Sequence, residues 1–203
     1  MNVHKSLLTK LYIYRLTSDT GLAPCVDNGL FSLAVCKGGQ IRKGVPCNTG
    51  LRHLIGSRGE YKLGKVYILG TFHDKFLYLA RVTDVVTMDE YFNGMSKGRT
   101  DDIYDFVKEK LVRNNHFKKE KIHTEHDRII KDIAGQYVVL SNDYIYLGED
   151  AIYIEIVKKY NAKFQETKTY TGDVAERIIK ECMKYKDKKK HKSHEPLSSK
   201  CGG

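Results

Sequence analysis

The chain of 203 residues has no tryptophan and no apolar run approaching the roughly twenty residues that a membrane-spanning helix needs, so no helical span is expected. Its first residues, MNVHKSLLTKLYIYRL, lack the long apolar core and small-residue cleavage site of a secretory leader. Cysteines are odd in number, five, and Cys25, Cys36 and Cys47 stand too far apart for the paired ligands of a zinc site. These absences point to a reducing, cytoplasmic setting, or a nuclear one in a eukaryote, with most thiols buried. There is no GxSxG elbow and so no sign of a serine hydrolase. The segment Gly59-Glu-Tyr-Lys-Leu-Gly64-Lys65 fits the first seven positions of a phosphate-binding loop, but Val66 stands where a Ser or Thr should hold magnesium. Lys65 also leads into a strand, where the chemistry needs a helix. His123, Glu125, His126 and Asp127 have the makings of a metal-binding face but not the HExxH spacing, so no metal site is assigned.

What the chain does have is positive charge and tyrosine. Thirty-five Lys and Arg against 25 Asp and Glu give a net charge of +10 and a pI near 9.2, which attracts polyanions without reading any sequence. The stretch from Lys186 to Gly203 reads as a disordered basic tail after a single domain over residues 1–185, because it cannot bury enough apolar surface to fold. With 14 tyrosines and no tryptophan, aromatic work falls to tyrosine. Tyr12, Tyr14, Tyr67, Tyr78, Tyr137, Tyr144 and Tyr146 all fall in segments that read as strands, where such rings are usually core, though one or two lining a cleft would stack on a base.

The most informative stretch is Leu11 to Arg42. Apolar runs at Leu11–Leu16 and Leu30–Val35 mark strands over Lys10–Thr17 and Leu30–Lys37, separated by a turn-rich loop, Ser18–Asn28. Cys36 and Lys37 then meet Gly38-Gly39 and Arg42, so two cations emerge where a tight backbone lets an anionic ligand approach. Cys36 beside Lys37 is also a candidate thiolate nucleophile, with burial at a strand end the more common fate of such a residue. The basic segment after Arg42 reads as a long loop with at most one helical turn, offering Arg52, His53 and Arg58 as phosphate contacts.

Lys65–Thr71 and Phe76–Val86 read as a hairpin, and Thr87 with Glu90 as a capping box on a short helix. From Asp101 the spacing of Ile103, Phe106, Val107 and Leu111 predicts a helix. Tyr137–Ser141 and Tyr144–Leu147 read as a second strand pair about an Asn142-Asp143 turn. Ala151–Val157 fits either a strand or a helix. Asp173 and Glu176 open a last helix with Val174, Ile178, Ile179 and Cys182 as its apolar stripe. The expected fold is α+β: a twisted mixed or antiparallel sheet, curled toward a barrel, with two or three flanking helices.

On LYIYRLTSDTGLAP with GLFSLAVCK and IR, on LGKVYILGT with LYLARVTDVVTMDEYF, on GRTDDIY and on VVLSNDYIYLGEDA, the chain resembles the nucleotide modification associated domain family, type two. This chain has Cys36-Lys37-Gly38 where the family pattern favours Cys-Lys-Pro, and Gly64-Lys65-Val66 where it favours Gly-Asp-Trp. The resemblance implies a role in systems that modify DNA bases, with polar site positions at Asp19, Lys37, Arg42, Asp89, Tyr91, Asp101 or Asp102, Tyr104, Ser141 and Tyr146. Besides a protein-interaction module, which would show an exposed apolar patch in place of a basic cleft, two readings stay open. One is a binder of nucleotide or nucleic acid in which Lys37 and Arg42 hold phosphate and a tyrosine stacks on the base. The other is an enzyme on a free nucleotide or modified base, with Asp19 or the Asp101-Asp102 pair as general base. Cofactor and oligomeric state are not indicated.

Overall fold

A computed structural model describes residues 9–43, 45–47, 50–108, 110–114, 126–163 and 166–192. In chain order the elements are β1 (Lys10–Leu16), β2 (Cys25–Asp27), β3 (Leu30–Leu33), β4 (Gln40–Arg42), β5 (Val45–Cys47), α1 (Leu51–Arg58), β6 (Val66–Phe72), β7 (Lys75–Arg81) and β8 (Asp84–Thr87). There follow α2 (Met88–Glu90), β9 (Tyr104–Val107), β10 (Lys110–Arg113), α3 (His126–Ile133), β11 (Tyr137–Ser141), β12 (Asp143–Tyr146), α4 (Glu155–Tyr160), β13 (Thr167–Thr171) and α5 (Gly172–Met183). The class is α+β, and the described sheets are open, with no closed barrel among them. None of the described helices is long and apolar enough to cross a membrane.

The chain forms two compact units. Of the described residues, unit 1 takes those within 9–17, 59–83 and 143–190, and unit 2 those within 18–58, 84–142 and 191–192. The sheet of unit 1 has the order β12-β7-β6-β1-β13, with β1 and β6 parallel and the other neighbours antiparallel. Its two faces follow from the period of two. Leu11, Ile13, Leu69, Leu79 and Ile145 point to one side, where Val157 of α4 and Ala175, Ile178, Ile179 and Cys182 of α5 complete an apolar core. The opposite side carries tyrosine. Tyr146, Tyr78, Gly70 and Tyr14 follow one another across four strands, and Gly70 is required there because a Cβ would sit 2.1 Å from the Tyr78 ring. The Tyr78 hydroxyl donates to that of Tyr14, and Tyr12 donates to Glu60 at 3.2 Å. At the far end, Lys186–Lys188 form a 3-10 turn and the Lys190 N–H donates to the Tyr146 carbonyl at 2.8 Å. Residues 193–203 of the expected tail lie outside the described residues.

Unit 2 is built on an antiparallel sheet of order β2-β3-β11-β8 with two separate hairpins, β4-β5 and β9-β10. Here several expectations are corrected. The loop after Ser18 is not free of pairing, since Cys25–Asp27 pair with β3. The strand from Leu30 ends at Leu33, because Cys36 and Lys37 take left-handed φ values of 55° and 49° that no strand accommodates. The basic loop after Arg42 contains the two-turn helix α1, whose buried Leu51, Arg52 and Ile55 share a face. The helix expected from Asp101 is the hairpin β9-β10: Lys108 turns the chain at φ 47°, and Phe106 meets Leu111 as a cross-strand pair.

Two further expectations are corrected by how strands divide between the units. The run Phe76–Val86 splits, β7 pairing with β6 and β8 with β11. The strands β11 and β12 exist as expected but do not pair with each other. At Asn142 the chain leaves one sheet, and β12 then pairs with β7. The capping box at Thr87 and Glu90 is present, followed by a π turn over Tyr91–Met95, and α5 buries the expected stripe apart from Val174, which is half-buried.

Candidate functional site

Unit 2 encloses two polar networks. The first is centred on Asp101, whose side chain is wholly buried. Its carboxylate accepts from Ser32 Oγ at 2.5 Å, from the Tyr91 hydroxyl at 2.8 Å and from Arg99 Nε at 3.3 Å. Arg99 in turn donates through Nη1 to the Asp27 carbonyl at 2.7 Å, and through Nη2 to the Leu30 carbonyl at 3.1 Å and Ser32 Oγ at 2.9 Å. The Asp27 carboxylate caps Thr100 N–H at 2.6 Å and accepts from the Cys25 thiol at 3.2 Å. The turn before β9 thus carries a buried ion pair whose hydrogen bonds to Asp27, Leu30 and Ser32 tie it to the hairpin β2-β3, each guanidinium nitrogen donating to a partner. Burial pushes the Asp101 carboxyl upward while Arg99 pulls it back. Burial, then the Asp101 charge, push the Tyr91 phenol far up. The Cys25 thiol is raised by burial and by Asp101, which makes it inert.

The second network holds the turn after β3. Asp132, in the last turn of α3, accepts the Cys36 N–H at 2.6 Å on one oxygen and the Tyr104 hydroxyl at 2.8 Å on the other. Arg52 of α1, with no exposed surface, donates to three backbone carbonyls: Cys36 at 2.7 Å, Tyr137 at 2.6 Å and Asp132 at 2.5 Å. Its N–H also donates to the Lys37 carbonyl at 3.2 Å. Two glycines make room for the guanidinium. A Cβ on Gly38 would lie 2.6 Å from Nη2, and one on Gly135 would lie 2.4 Å from Cζ. Burial lowers the Arg52 pKa, opposed by Asp132. Burial and Asp132 raise that of Tyr104. Phe92 lies edge-on between the rings of Tyr91 and Tyr104, with centroids 5.1 and 5.2 Å away, so the networks flank a shared aromatic stack.

The candidates read from sequence fall as follows. Tyr91 and Asp101 belong to the first network, and Lys37 and Tyr104 to the second. Lys37 is half-buried. The backbone of Arg42 pairs with Val45 in β4, and its side chain lies outside the described residues. Asp19 is buried and accepts the Gly21 N–H at 3.3 Å, closing its own turn. Asp102 is mostly buried, accepting from Ser96 Oγ at 2.7 Å and lying 3.8 Å from Lys97. Asp89 is exposed on α2. Ser141 is buried in β11, and Tyr146 is buried in unit 1. The rings of Tyr91, Tyr104 and Tyr146 are therefore enclosed by protein.

Arg52, expected as a phosphate contact, is instead an internal clamp. His53 is half-buried against the Tyr137 ring, and Arg58 is exposed at the end of α1. Arg99, Asp132, Ser32 and Cys25 were not indicated as site residues by the sequence. The one available signal was Gly-Arg-Thr-Asp at 98–101, where opposite charges two residues apart follow a turn glycine. His123 and Glu125, and the side chains of His126 and Asp127, lie outside the described residues. Among the described residues no group of three or more His, Cys, Asp or Glu is placed to hold a metal ion.

The chain matches the family described as nucleotide modification associated domain 2 over residues 8–201, nearly its whole length, and belongs to that family. No curated protein and no solved structure matches it.

Proposed function

We propose that this member of the nucleotide modification associated domain 2 family is a nucleotide- or nucleic-acid-binding domain of a DNA base-modification system, in which the Cys36–Gly39 turn and β4 present Lys37 and Arg42 to phosphate. The observation that carries this reading is the turn itself. Two consecutive non-glycine residues, Cys36 and Lys37, hold left-handed backbone conformations, each costing on the order of 1 kcal/mol. A buried arginine and a buried aspartate hold them there. Such strain persists where surrounding groups over-determine it, and it gathers at binding sites. The net charge of +10 supports the same class of partner.

Binding of short DNA or of nucleotides, measured across a salt series, is expected to weaken steeply with salt. Arg42→Ala and Lys37→Ala are each expected to weaken it on every sequence and to lower the salt slope by about one. Affinity indifferent to salt and to both substitutions overturns the reading. The alternative, an enzyme with a carboxylate general base, gains no support from Asp19 or Asp101. Both are buried, and the oxygens of Asp101 are filled by Ser32, Tyr91 and Arg99. A general base needs an oxygen within reach of its substrate.

A further inference from the structure

We infer that the tip of the β6-β7 hairpin, together with Tyr153, is a stacking platform for the unpaired bases of a single-stranded nucleic acid. This rests on the nucleic-acid reading above but assigns the contact to residues of unit 1, none of which belongs to the clamped turn of unit 2. Three observations carry it.

The connection from Phe72 to Lys75 has two residues, His73 and Asp74, with φ values of 47° and 62°. That is the left-handed pair of a tight hairpin turn, which normally takes Asn-Gly or Asp-Gly. Here neither residue is glycine, and the conformation is secured from below. Asn161, itself buried, donates to Asp74 Oδ1 at 2.9 Å and accepts from Thr71 Oγ1 at 2.8 Å. Asp74, the acid of the tip, is further neutralised by Arg15 at 3.3 Å.

Tyr153 is 64% exposed, although its neighbours on both sides are fixed. Ile152 bridges Phe76 through both backbone bonds, and Ile154 is in the core. The ring is therefore displayed on rigid backbone, with Lys75 Nζ 5.3 Å from its centroid. A packing role does not explain a large ring held in water.

Phe72 and Lys75 are cross-strand partners and so share a face of the hairpin. The Phe72 ring is half-buried and meets the exposed His73 ring edge-on at 4.2 Å. Two aromatic surfaces thus flank one lysine. Base stacking on exposed rings, with a cation for the intervening phosphate, is how sequence-tolerant single-strand binders work. Duplex DNA offers no base face to such rings.

The test uses the full chain, fluorescein-labelled twelve-residue oligodeoxythymidine and oligouridine, a duplex of equal length, and anisotropy titrations. Tighter binding to a single strand than to the duplex is expected. Tyr153→Ala is expected to weaken single-strand binding about tenfold with no change in melting temperature, Tyr153→Phe to leave it intact, and Lys75→Gln to lower the salt slope by about one. Which oligonucleotide responds assigns the platform to DNA, RNA or both. If the single strand binds but Tyr153→Ala stays within twofold of the parent, or the duplex binds as tightly, this inference falls and the proposed function stands. If neither the single strands nor the duplex binds, this inference falls together with the nucleic-acid half of the proposed function, and the nucleotide titrations decide the other half.

Discussion

The two units bury polar atoms in opposite ways. In unit 1 they are mostly neutral: the hydroxyls of Tyr14 and Tyr78 satisfy each other, and Thr71 pairs with Asn161. Among the described residues of unit 1 the buried polar side chains other than tyrosine are Thr9, Thr71 and Asn161, none of them charged. In unit 2 the interior holds whole charges, Arg52, Arg99, Asp101 and Asp132, each tied to several partners. A buried ion pair is a weak source of net stability compared with apolar packing of the same volume, because desolvation offsets much of the attraction. What such pairs supply is geometry. Unit 1 is a frame held by packing, and unit 2 spends buried charge on fixing turns.

The sharpest test removes one member of a buried pair. Asp101→Ala leaves Arg99 charged and enclosed, and is expected to destabilise the fold by about 3–5 kcal/mol in chemical denaturation. The double variant Asp101→Leu with Arg99→Met is expected to recover much of that loss. If the single and double variants are equally damaged, charge is not what distinguishes unit 2.

A next and smaller effect compares close backbone approaches. Gly135→Ala drives a methyl group into the Arg52 guanidinium, and Gly70→Ala drives one into the Tyr78 ring. Each is expected to cost about 1–3 kcal/mol. They differ in function: Gly135→Ala disturbs the clamp on Cys36 and Lys37 and should weaken nucleotide or nucleic-acid binding, whereas Gly70→Ala should not. Equal loss of binding in both variants removes the special role given to the clamp.

How legible each unit was follows from the same contrast. β1, the β6-β7 hairpin and α5 are readable because short apolar runs rich in tyrosine and branched residues, and an apolar stripe at helical spacing, report packing directly. The pairing of β11 and β12 is not, since an Asn-Asp pair marks a change of direction without saying which sheet the chain enters next. In unit 2 the signals misled. Ile103, Phe106 and Leu111 fit a helix face as well as a hairpin, and only Lys108 taking a left-handed turn decides between them. Arg52 looked like a surface cation because charge is the usual mark of exposure. Its three carbonyl partners lie 16, 80 and 85 residues away, which no local pattern encodes. The site positions Asp19, Tyr91, Asp101 and Tyr104 are all buried in unit 2.

A third effect tests the neutral interior. Tyr78→Phe removes one buried hydroxyl and leaves that of Tyr14 to find another partner. The expected loss is about 1 kcal/mol, well under that of Asp101→Ala. A loss as large as the charge deletion would erase the distinction between the units.

The smallest effect concerns two helix starts. In unit 2, Thr87 Oγ1 accepts the Glu90 N–H at 3.2 Å and the Glu90 carboxylate accepts the Thr87 N–H at 2.7 Å. In unit 1, Thr171 begins α5 with no side-chain cap bond. Thr87→Ala should therefore lower the melting temperature by a few degrees, and Thr171→Ala should barely change it. The hydrogen bonds from Thr87 hold the Glu90 carboxyl below its ordinary pKa of 4.5. A carboxyl depressed in the folded state contributes stability that is fully present above its unfolded pKa and is lost as pH falls through the folded one. The contribution of Glu90 should be whole at neutral pH and fade below about pH 4.5 in parent and variant alike, because the bond from the Thr87 N–H survives in Thr87→Ala. The gap between their melting temperatures should narrow in acid by the share of the hydroxyl–carboxylate bond. A gap that persists unchanged at low pH means that the Thr87 hydroxyl acts through the Glu90 N–H alone, and that its bond to the Glu90 carboxylate contributes nothing to holding the turn that carries Tyr91.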